Sequence, residues 1–564
     1  MKSVWKIREK VSSDIVEQLL SNRGISKEQA KDFLSPDYDR DTHDPFLFLR
    51  MNDAVEKVFS ALENEKKIII HGDYDADGIC GSMLLVDTLR HLSGSMDVKL
   101  NIEVFLPHRE HDGYGVAKHN IDKFIESGAS LLITVDCGIA NSKELDYACE
   151  SGLDVIVCDH HQLGVELPKN AIIIHPLAPG EIYPNKKLCG TGVAFKLACA
   201  LLRCAQKRAI QVSAGFEKWL LDLVAIATIT DVVPLLGENR ALEKYGLMVL
   251  NKTRRPGLLK IIQNSNLELG RIKTDDIGFR IGPRLNAAGR LKNASTAFNA
   301  LNAIDNDSAV LYSTELEVLN RERQRLSDIA FSEAMEQIKQ FSEQFVYIVW
   351  SENWVPGILG LIAGKIANEL KSSVFALSKS GDQFLGSGRT ANGLHLVEAM
   401  RYCGDIFVKA GGHPEACGLT LGSFEMIEIF REKVNLYAKE KFVLSQGKSE
   451  VIIDAVLDIS DIDFGLYLKV IQFEPFGTGN AVPLFAIKNA RVASVGAVGS
   501  ECKHLRMILE DGSNHIECVG FGFGKLAQDI KIGSLVDVAF KLRMNEWNGS
   551  RKLQAEVVEV IIKC

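Results

Sequence analysis

Lys67-Ile-Ile-Ile-His-Gly-Asp-Tyr-Asp-Ala-Asp-Gly78 is an apolar, β-branched run that stops abruptly in a histidine, alternating aspartates and a glycine. Two later stretches share the design, Leu131-Leu-Ile-Thr-Val-Asp-Cys-Gly138 and Val155-Ile-Val-Cys-Asp-His-His161. Continuous apolar runs of this length read as buried parallel strands. In an open α/β sheet the crevice at the carboxyl ends of the strands takes the ligand. The acids and histidines of all three stretches would converge there, and like charges in one crevice repel unless cations neutralise them. A metal site is the first expectation.

Over residues 52–240 strand and helix patterns alternate, with strands ending at His71, Asp136, Asp159 and His175 and helices over 78–92 and 142–151. Such alternation predicts a parallel sheet with helices on both faces. Residues 1–51 predict a helical leader, with capped helices over 13–20 and 26–34 and a Pro- and Asp-rich turn over 35–45. A helical region over 241–342 closes in a charged pattern, 307–341, that contains neither Gly nor Pro. At about 1.5 Å per residue this is a strut roughly 50 Å long.

Alternation resumes over 343–442, with strands over 345–350, 373–377 and 384–387 and a helix over 357–370, which predicts a second, smaller α/β domain. The polar stretch 445–450 reads as a linker. From 450 to 564, short alternating strands and Gly, Asp and Asn turns, with a hairpin at Asn548-Gly549, predict an OB-type barrel. The expected class is α/β: two α/β domains joined by a long helix, plus a C-terminal all-β barrel.

With 564 residues, 46% of them apolar and 24% charged, the chain suits a globular protein of several domains. A core of that size needs neither disulfides nor metals merely to fold. The 12 cysteines form no C-x-x-C pair, and Cys149, Cys158, Cys199 and Cys417 sit in apolar patterns. They read as reduced core residues of a cytoplasmic protein. The N-terminus lacks an apolar signal region, and the longest apolar stretch, 219–230, is broken by Asp222 and too short for a bilayer. No membrane partner is expected. A net charge of −8 weighs against a nucleic-acid partner only on average. An acidic crevice can coexist with a local basic groove.

His71, Asp73, Asp75 and Asp77 alternate along an extended segment, so they can share one side. Asp and His without thiolates suit Mn²⁺ or Mg²⁺ better than structural zinc. An Asp-rich turn that merely caps the next helix is the plainer alternative. The same alternative holds for Asp136. It holds less well for Asp159-His160-His161, because two histidines beside a carboxylate have no packing rationale. Asp231, alone in the apolar run 226–234, needs a cationic partner if buried.

His-x-x-x-Asp-x-Asp, a strand-end Asp, Asp-His-His and a later Asp are the motifs of the DHH phosphoesterase superfamily. The chain resembles in particular the RecJ group of single-strand-specific exonucleases, over almost its whole length. Gly282-Pro-Arg-Leu-Asn-Ala-Ala-Gly-Arg290 and Gly411-Gly-His-Pro-Glu-Ala-Cys-Gly418 carry the resemblance further. It implies a DHH domain, a DHH-associated domain and two divalent ions, Mn²⁺ or Mg²⁺, bridged by Asp136. One ion would take His71, Asp75 and Asp73; the other would take Asp77, His160 and Asp231. His161 would face the scissile phosphate. It implies also a monomer acting on single-stranded DNA in recombination and repair, with single-strand-binding protein and helicase partners.

Gly386-Ser-Gly-Arg-Thr390 ends a strand, and flanking glycines with an arginine suit an anion. As bare patterns, this segment and Gly411-Gly-His413 are common turns. In a chain resembling RecJ, Ser387, Arg389, Gly411, Gly412 and His413 read as loops that hold a terminal 5′-phosphate, with Arg109 a further candidate. Arg280 and Arg284 flank Gly282-Pro283, read as a turn that projects side chains. Arg280 is expected to stabilise charge on the transferred phosphoryl group, with Arg284 and Asn286 in support. Lys541, Arg543, Trp547, Arg551 and Lys552 interleave charge with an aromatic, as single-strand platforms do, although exposed hairpins commonly carry lysine.

The leading expectation is a metal-dependent 5′→3′ exonuclease that releases 5′-mononucleotides. The alternatives are a DHH phosphodiesterase of short oligonucleotides or cyclic dinucleotides, a family II pyrophosphatase, and a non-catalytic replication scaffold. Chain length disfavours the first two, and the full set of ligand positions disfavours the third.

Overall fold

The computed structural model describes residues 4–109, 111–113, 115–341, 344–444, 450–547 and 550–563. The chain forms two compact units: His43–Val233 with Tyr245–Gly447, and Met1–Thr42 with Pro234–Lys244 and Lys448–Cys564.

In the larger unit the three apolar runs are neighbouring strands. The sheet order is Ile102–Phe105, Lys67–Gly72, Ala129–Val135, Asp154–Cys158, Ile172–Ile174, and every pairing is parallel. Their β-branched residues are buried, as parallel strands covered on both faces require. Asp75 caps the helix Ala76–Met96, its carboxylate accepting from the N–H groups of Asp77 and Gly78. The charged pattern forms one helix, Asn306–Lys339, of 34 residues.

Beyond that helix lies a five-stranded mixed sheet. Its order is Phe407–Gly412, Ala416–Leu421, Gln383–Thr390, Ser373–Ser380, Val346–Ser351, and only the last pair is parallel. Gly386-Ser-Gly-Arg-Thr390 and Gly411-Gly412 are therefore strand residues, not loops. Ser387 and Gly411 both pair with Gly418 across the strand between them. The glycines make room for packing, since a Cβ on Gly388 would lie 2.5 Å from Phe375 and 2.6 Å from the Cys417 sulfur.

A second departure concerns Gly282-Pro283, which is no turn. A π-wound segment, Ile277–Ile281, runs directly into the helix Gly282–Leu291. Pro283 sits in the first turn of that helix, where no N–H is needed.

In the smaller unit, strands Phe485–Val498, His504–Asp511, Asn514–Gly520, Ser550–Ile562 and Leu535–Trp547 close into a barrel, the last pairing back to the first. The leader does not stand apart as a helical segment. Val4–Ile7 is a strand paired in parallel with Glu450–Ile453, and the helices Ile15–Asn22 and Lys27–Leu34 bury Leu19, Leu20 and Phe33 in the barrel core. Trp5 Nε1 donates to Glu559 Oε2 at 2.6 Å, 554 positions away. Asn548 and Gly549, the expected hairpin, and 445–449, most of the expected linker, lie outside the described residues. So does the Trp547 side chain. Among the described residues no helix is long and apolar enough to cross a membrane.

Arg240, in the smaller unit, is buried over the Phe33 ring and donates to the carbonyl oxygens of Phe33, Glu474 and Pro475. Arg240→Ala strands three buried acceptors, each worth about 1–3 kcal/mol. The expected loss is about 3 kcal/mol or more, read as a lower urea midpoint for the transition monitored by barrel signals.

Candidate metal centre and anion cleft

The strand ends deliver their side chains to one buried place. His71 and Asp77 are buried, and Asp73 and Asp136 are nearly so. Three groups of ligand atoms lie within 4.8 Å of one another: Asp77, His160, Asp231; Asp73, Asp75, Asp136; and Asp136, His160, His161. His160 Nε2 is 3.1 Å from Asp136 Oδ1, 3.6 Å from Asp231 Oδ2 and 3.8 Å from Asp77 Oδ2. Asp136 has φ +61, a left-handed backbone uncommon for a residue with a side chain and typical of constrained functional sites.

Burial, then the charges of neighbouring aspartates, pushes the carboxyls of Asp73, Asp75, Asp136 and Asp231 above the ordinary carboxylate range. Burial lowers His160 and brings His71 down to about 4, so His71 is a neutral imidazole at physiological pH. Among the described residues, four buried atoms here have no hydrogen-bond partner: His71 Nε2, Asp73 Oδ1, Asp136 Oδ1 and His160 Nε2. Orphaned acceptors are rare inside proteins, and a cluster of them on carboxylates and imidazoles is the donor set of a divalent cation. The residues fit the expected ions.

Groups outside the expected ligand set also hold this cluster. Asp159 accepts from the N–H groups of His160 and His161, from Ile139 N at 2.9 Å and from His161 Nδ1 at 2.8 Å. Burial alone would lower His161, but the hydrogen bond and charge of Asp159 lift it to about 9. Asp77 accepts from Gly190 N and Thr191 N, both at 2.7 Å, at the start of the helix Gly190–Lys207. That helix approaches so closely that a Cβ on Gly190 would lie 2.5 Å from the Asp136 Cβ. Cys137 Sγ lies 3.6 Å from both His71 O and His71 Nδ1. A thiol proton given to the carbonyl leaves sulfur lone pairs for Nδ1–H, which keeps the free lone pair of His71 on Nε2. The Gly190-Thr-Gly192 opening of an apolar helix was the one signal in the sequence.

The arginines are placed otherwise than expected. Arg284 is mostly buried and donates to Glu317 and to the carbonyls of Arg280 and Asn264, so it braces the helix start and is not offered to a phosphate. Asn286 Oδ1 accepts from Ala76 N and holds the first acidic turn. Arg280 is half-exposed, and the carboxylate beside it is Asp276, 3.9 Å away. Arg290 is half-buried and placed differently. It donates to Gly357 O of the second α/β lobe, and burial, with Arg109 and Arg323 close by, brings it down to about 10. Asp75 and Arg389 also act on it. Arg109 lies 4.0 Å over the Tyr74 ring and donates to Gly289 O. Arg389 is hydrogen-bonded to Ser387 Oγ at 3.0 Å, while Gly411, Gly412 and His413 are exposed at the adjoining hairpin end. A line of cations thus leads from Asp75 through Arg109 and Arg290 to Arg389. In the barrel, Arg543 pairs with Glu556, and Arg551 and Lys552 are exposed.

Three family descriptions match the chain: DHH family, N-terminal domain, over residues 67–228; DHHA1 domain over 342–440; and RecJ OB domain over 453–559. The chain is 34% identical to the single-stranded-DNA-specific exonuclease RecJ of Bacillus subtilis (strain 168), across 97% of this chain and 68% of that protein. It is 31% identical to the protein of the same name from Escherichia coli (strain K12), across 89% and 88%. Among solved structures it is similar to RecJ in complex with Mn²⁺ from Thermus thermophilus, with TM-score 0.82, 27% identity and coverage of 99% of this chain and 79% of that one. It is also similar to exonuclease RecJ bound to manganese, with TM-score 0.60, 32% identity and coverage of 71% and 96%.

The raised carboxyls fix a metal-linked test. Mn²⁺ at a hundredfold above Kd should stabilise the protein by about 2.7 kcal/mol at pH 7.5. Carboxyls with raised pKa values keep protons to higher pH, and the ion must displace them, so the rise in Tm should shrink towards pH 5.5. Differential scanning fluorimetry with Mn²⁺ or EDTA reads both effects. An undiminished shift in Asp136→Asn would remove Asp136 from the ligand set.

Proposed function

The chain belongs to the RecJ family of single-stranded-DNA-specific exonucleases, and on that footing we propose that it degrades single-stranded DNA from the 5′ end to 5′-mononucleotides. The observation that carries the chemistry is the set of four orphaned buried atoms on His71, Asp73, Asp136 and His160. Asp77, His160 and Asp231 would hold one divalent ion, and His71, Asp73 and Asp75 the other, with Asp136 within reach of both groups. Ions bound there, Mn²⁺ or Mg²⁺, supply positive charge against the phosphate and acidify a water.

The chain's own groups do the rest. His161 is fixed through Nδ1 by Asp159 and carries a proton, so its Nε2–H meets a phosphate oxygen at the scissile bond. Arg290 and Arg109 neutralise the backbone beside Asp75. Arg389 and Ser387, with the exposed backbone of Gly411, Gly412 and His413, take the terminal 5′-phosphate. Arg280, half-exposed, reaches the strand as a mobile cation. The exposed Lys552 and Arg551 of the barrel attract the rest of the strand. The same reading gives a monomer in the cytoplasm that serves recombination and repair alongside single-strand-binding protein and helicase partners.

A cyclic-dinucleotide or short-oligonucleotide phosphodiesterase would not need the barrel, and no observation favours it. End-labelled single- and double-stranded DNA with Mn²⁺ or EDTA separates the readings. Mononucleotides should appear from the 5′ end of the single strand only, and only with the ion. Asp136→Ala should abolish turnover while most strand binding survives in a filter assay. Arg389→Ala should lose at least tenfold in kcat/KM on a 5′-phosphorylated strand and far less on a 5′-hydroxyl strand, a loss of about 1.4 kcal/mol. Equal losses on both would move the phosphate pocket elsewhere.

A further inference from the structure

Phe279 is 80% exposed although it sits between Ile277 and Ile281, which are fully buried. Its π-wound segment is packed against the end of the helix Leu221–Thr230: a Cβ on Gly278 would lie 3.5 Å from Ile229, and one on Gly282 would collide with Thr230. Asp231 follows Thr230 directly. Val232 then has φ +58 and is 64% exposed, a backbone that a β-branched side chain rarely adopts. From Gly282 the helix runs on along the acidic cluster, through Asn286 bonded to Ala76 N and Gly289 pressed on Tyr74 O.

The helix therefore has two ends with respect to the metal ligands. The Gly289 end lies beside Tyr74, Arg109 and Arg290, from which the cations lead to Arg389. The opposite end lies at Thr230 and Asp231, and Phe279 projects nearly one turn beyond Gly282 there. A π turn places it, and such turns recur at functional sites. An exposed aromatic held between two buried isoleucines, beside the half-exposed Arg280, offers what a nucleobase and its phosphate need together.

We infer that Phe279 is a stacking platform for a base on the 3′ side of the scissile phosphate, in the part of the strand that has not yet passed the metal ligands. The inference rests on the exonuclease reading above and adds a polarity to it: 5′ end towards Arg389, 3′ strand leaving past Asp231 and Phe279.

The test compares the full-length protein, Phe279→Ala and Phe279→Tyr on 5′-phosphorylated oligodeoxynucleotides with Mn²⁺, using an intact strand and a series with one abasic nucleotide at successive positions. Phe279→Ala should raise KM by about 5- to 100-fold, the range set by single base–aromatic contacts, and Phe279→Tyr should restore it. One abasic position 3′ of the cleaved bond should raise the wild-type KM by a similar factor and leave Phe279→Ala unmoved, because the two changes remove the same contact. Equal sensitivity of both proteins at every position overturns the inference, as does an unchanged KM in Phe279→Ala. If the wild-type protein degrades no single strand, the exonuclease reading fails first, and this falls with it. An unaltered Tm, expected for so exposed a side chain, ties any change to the strand.

Discussion

Carboxylates crowded at the ends of parallel strands repel one another, and burial makes the repulsion worse, yet the larger unit is built around that crowding. Asp73, Asp75, Asp136 and Asp231 are each pushed towards their neutral forms by burial and by one another. Local order at the crevice answers this strain. Asp77 is tied to the first N–H groups of the helix Gly190–Lys207, where the positive end of the helix dipole meets it. Asp159 is given three backbone N–H donors and the His161 imidazole. Among the described residues, His71 Nε2, Asp73 Oδ1, Asp136 Oδ1 and His160 Nε2 are left without partners at the crevice, a set that a divalent cation would satisfy.

The same constraint explains the distribution of arginines. Arg255 spans Asp87 and Asp222 at a distance from the crevice, and burial there is outweighed by both carboxylates. Arg290, by contrast, is half-buried among other cations and, among the described residues, donates to the Gly357 carbonyl of the second lobe. One arginine is satisfied by two carboxylates; the other meets a carbonyl and feels the charge of Asp75.

Hydropathy period made the sheet legible, because each strand is covered on both faces and reads as one unbroken apolar run. The acids and histidines that the structure brings together were legible for a related reason: a charged residue closing such a run has few other uses. Legibility failed where residue types are ambiguous. Gly386 and Gly388 signal a turn in isolation, but under Leu377, Leu419 and Phe375 they are strand residues with no space for a side chain. Gly282-Pro283 likewise suggested a turn, and tertiary packing on Thr230 made it a helix start. Arg284 and Arg290 cannot be told apart by sequence, since only packing decides which one meets Glu317. Cys137 and Gly190 act through contacts that leave no periodic trace.

Pairing of Val4–Ile7 with Glu450–Ile453 gives the smaller unit an unusual history during synthesis. Its first strand and the helices carrying Leu19, Leu20 and Phe33 leave the ribosome long before the barrel they pack against exists. At about 5–20 residues per second the interval is on the order of 20 to 100 s. The larger unit has its strands and their crossover helices close together in sequence and is free to assemble meanwhile. The leader spends that time with apolar faces that only the later barrel strands can cover.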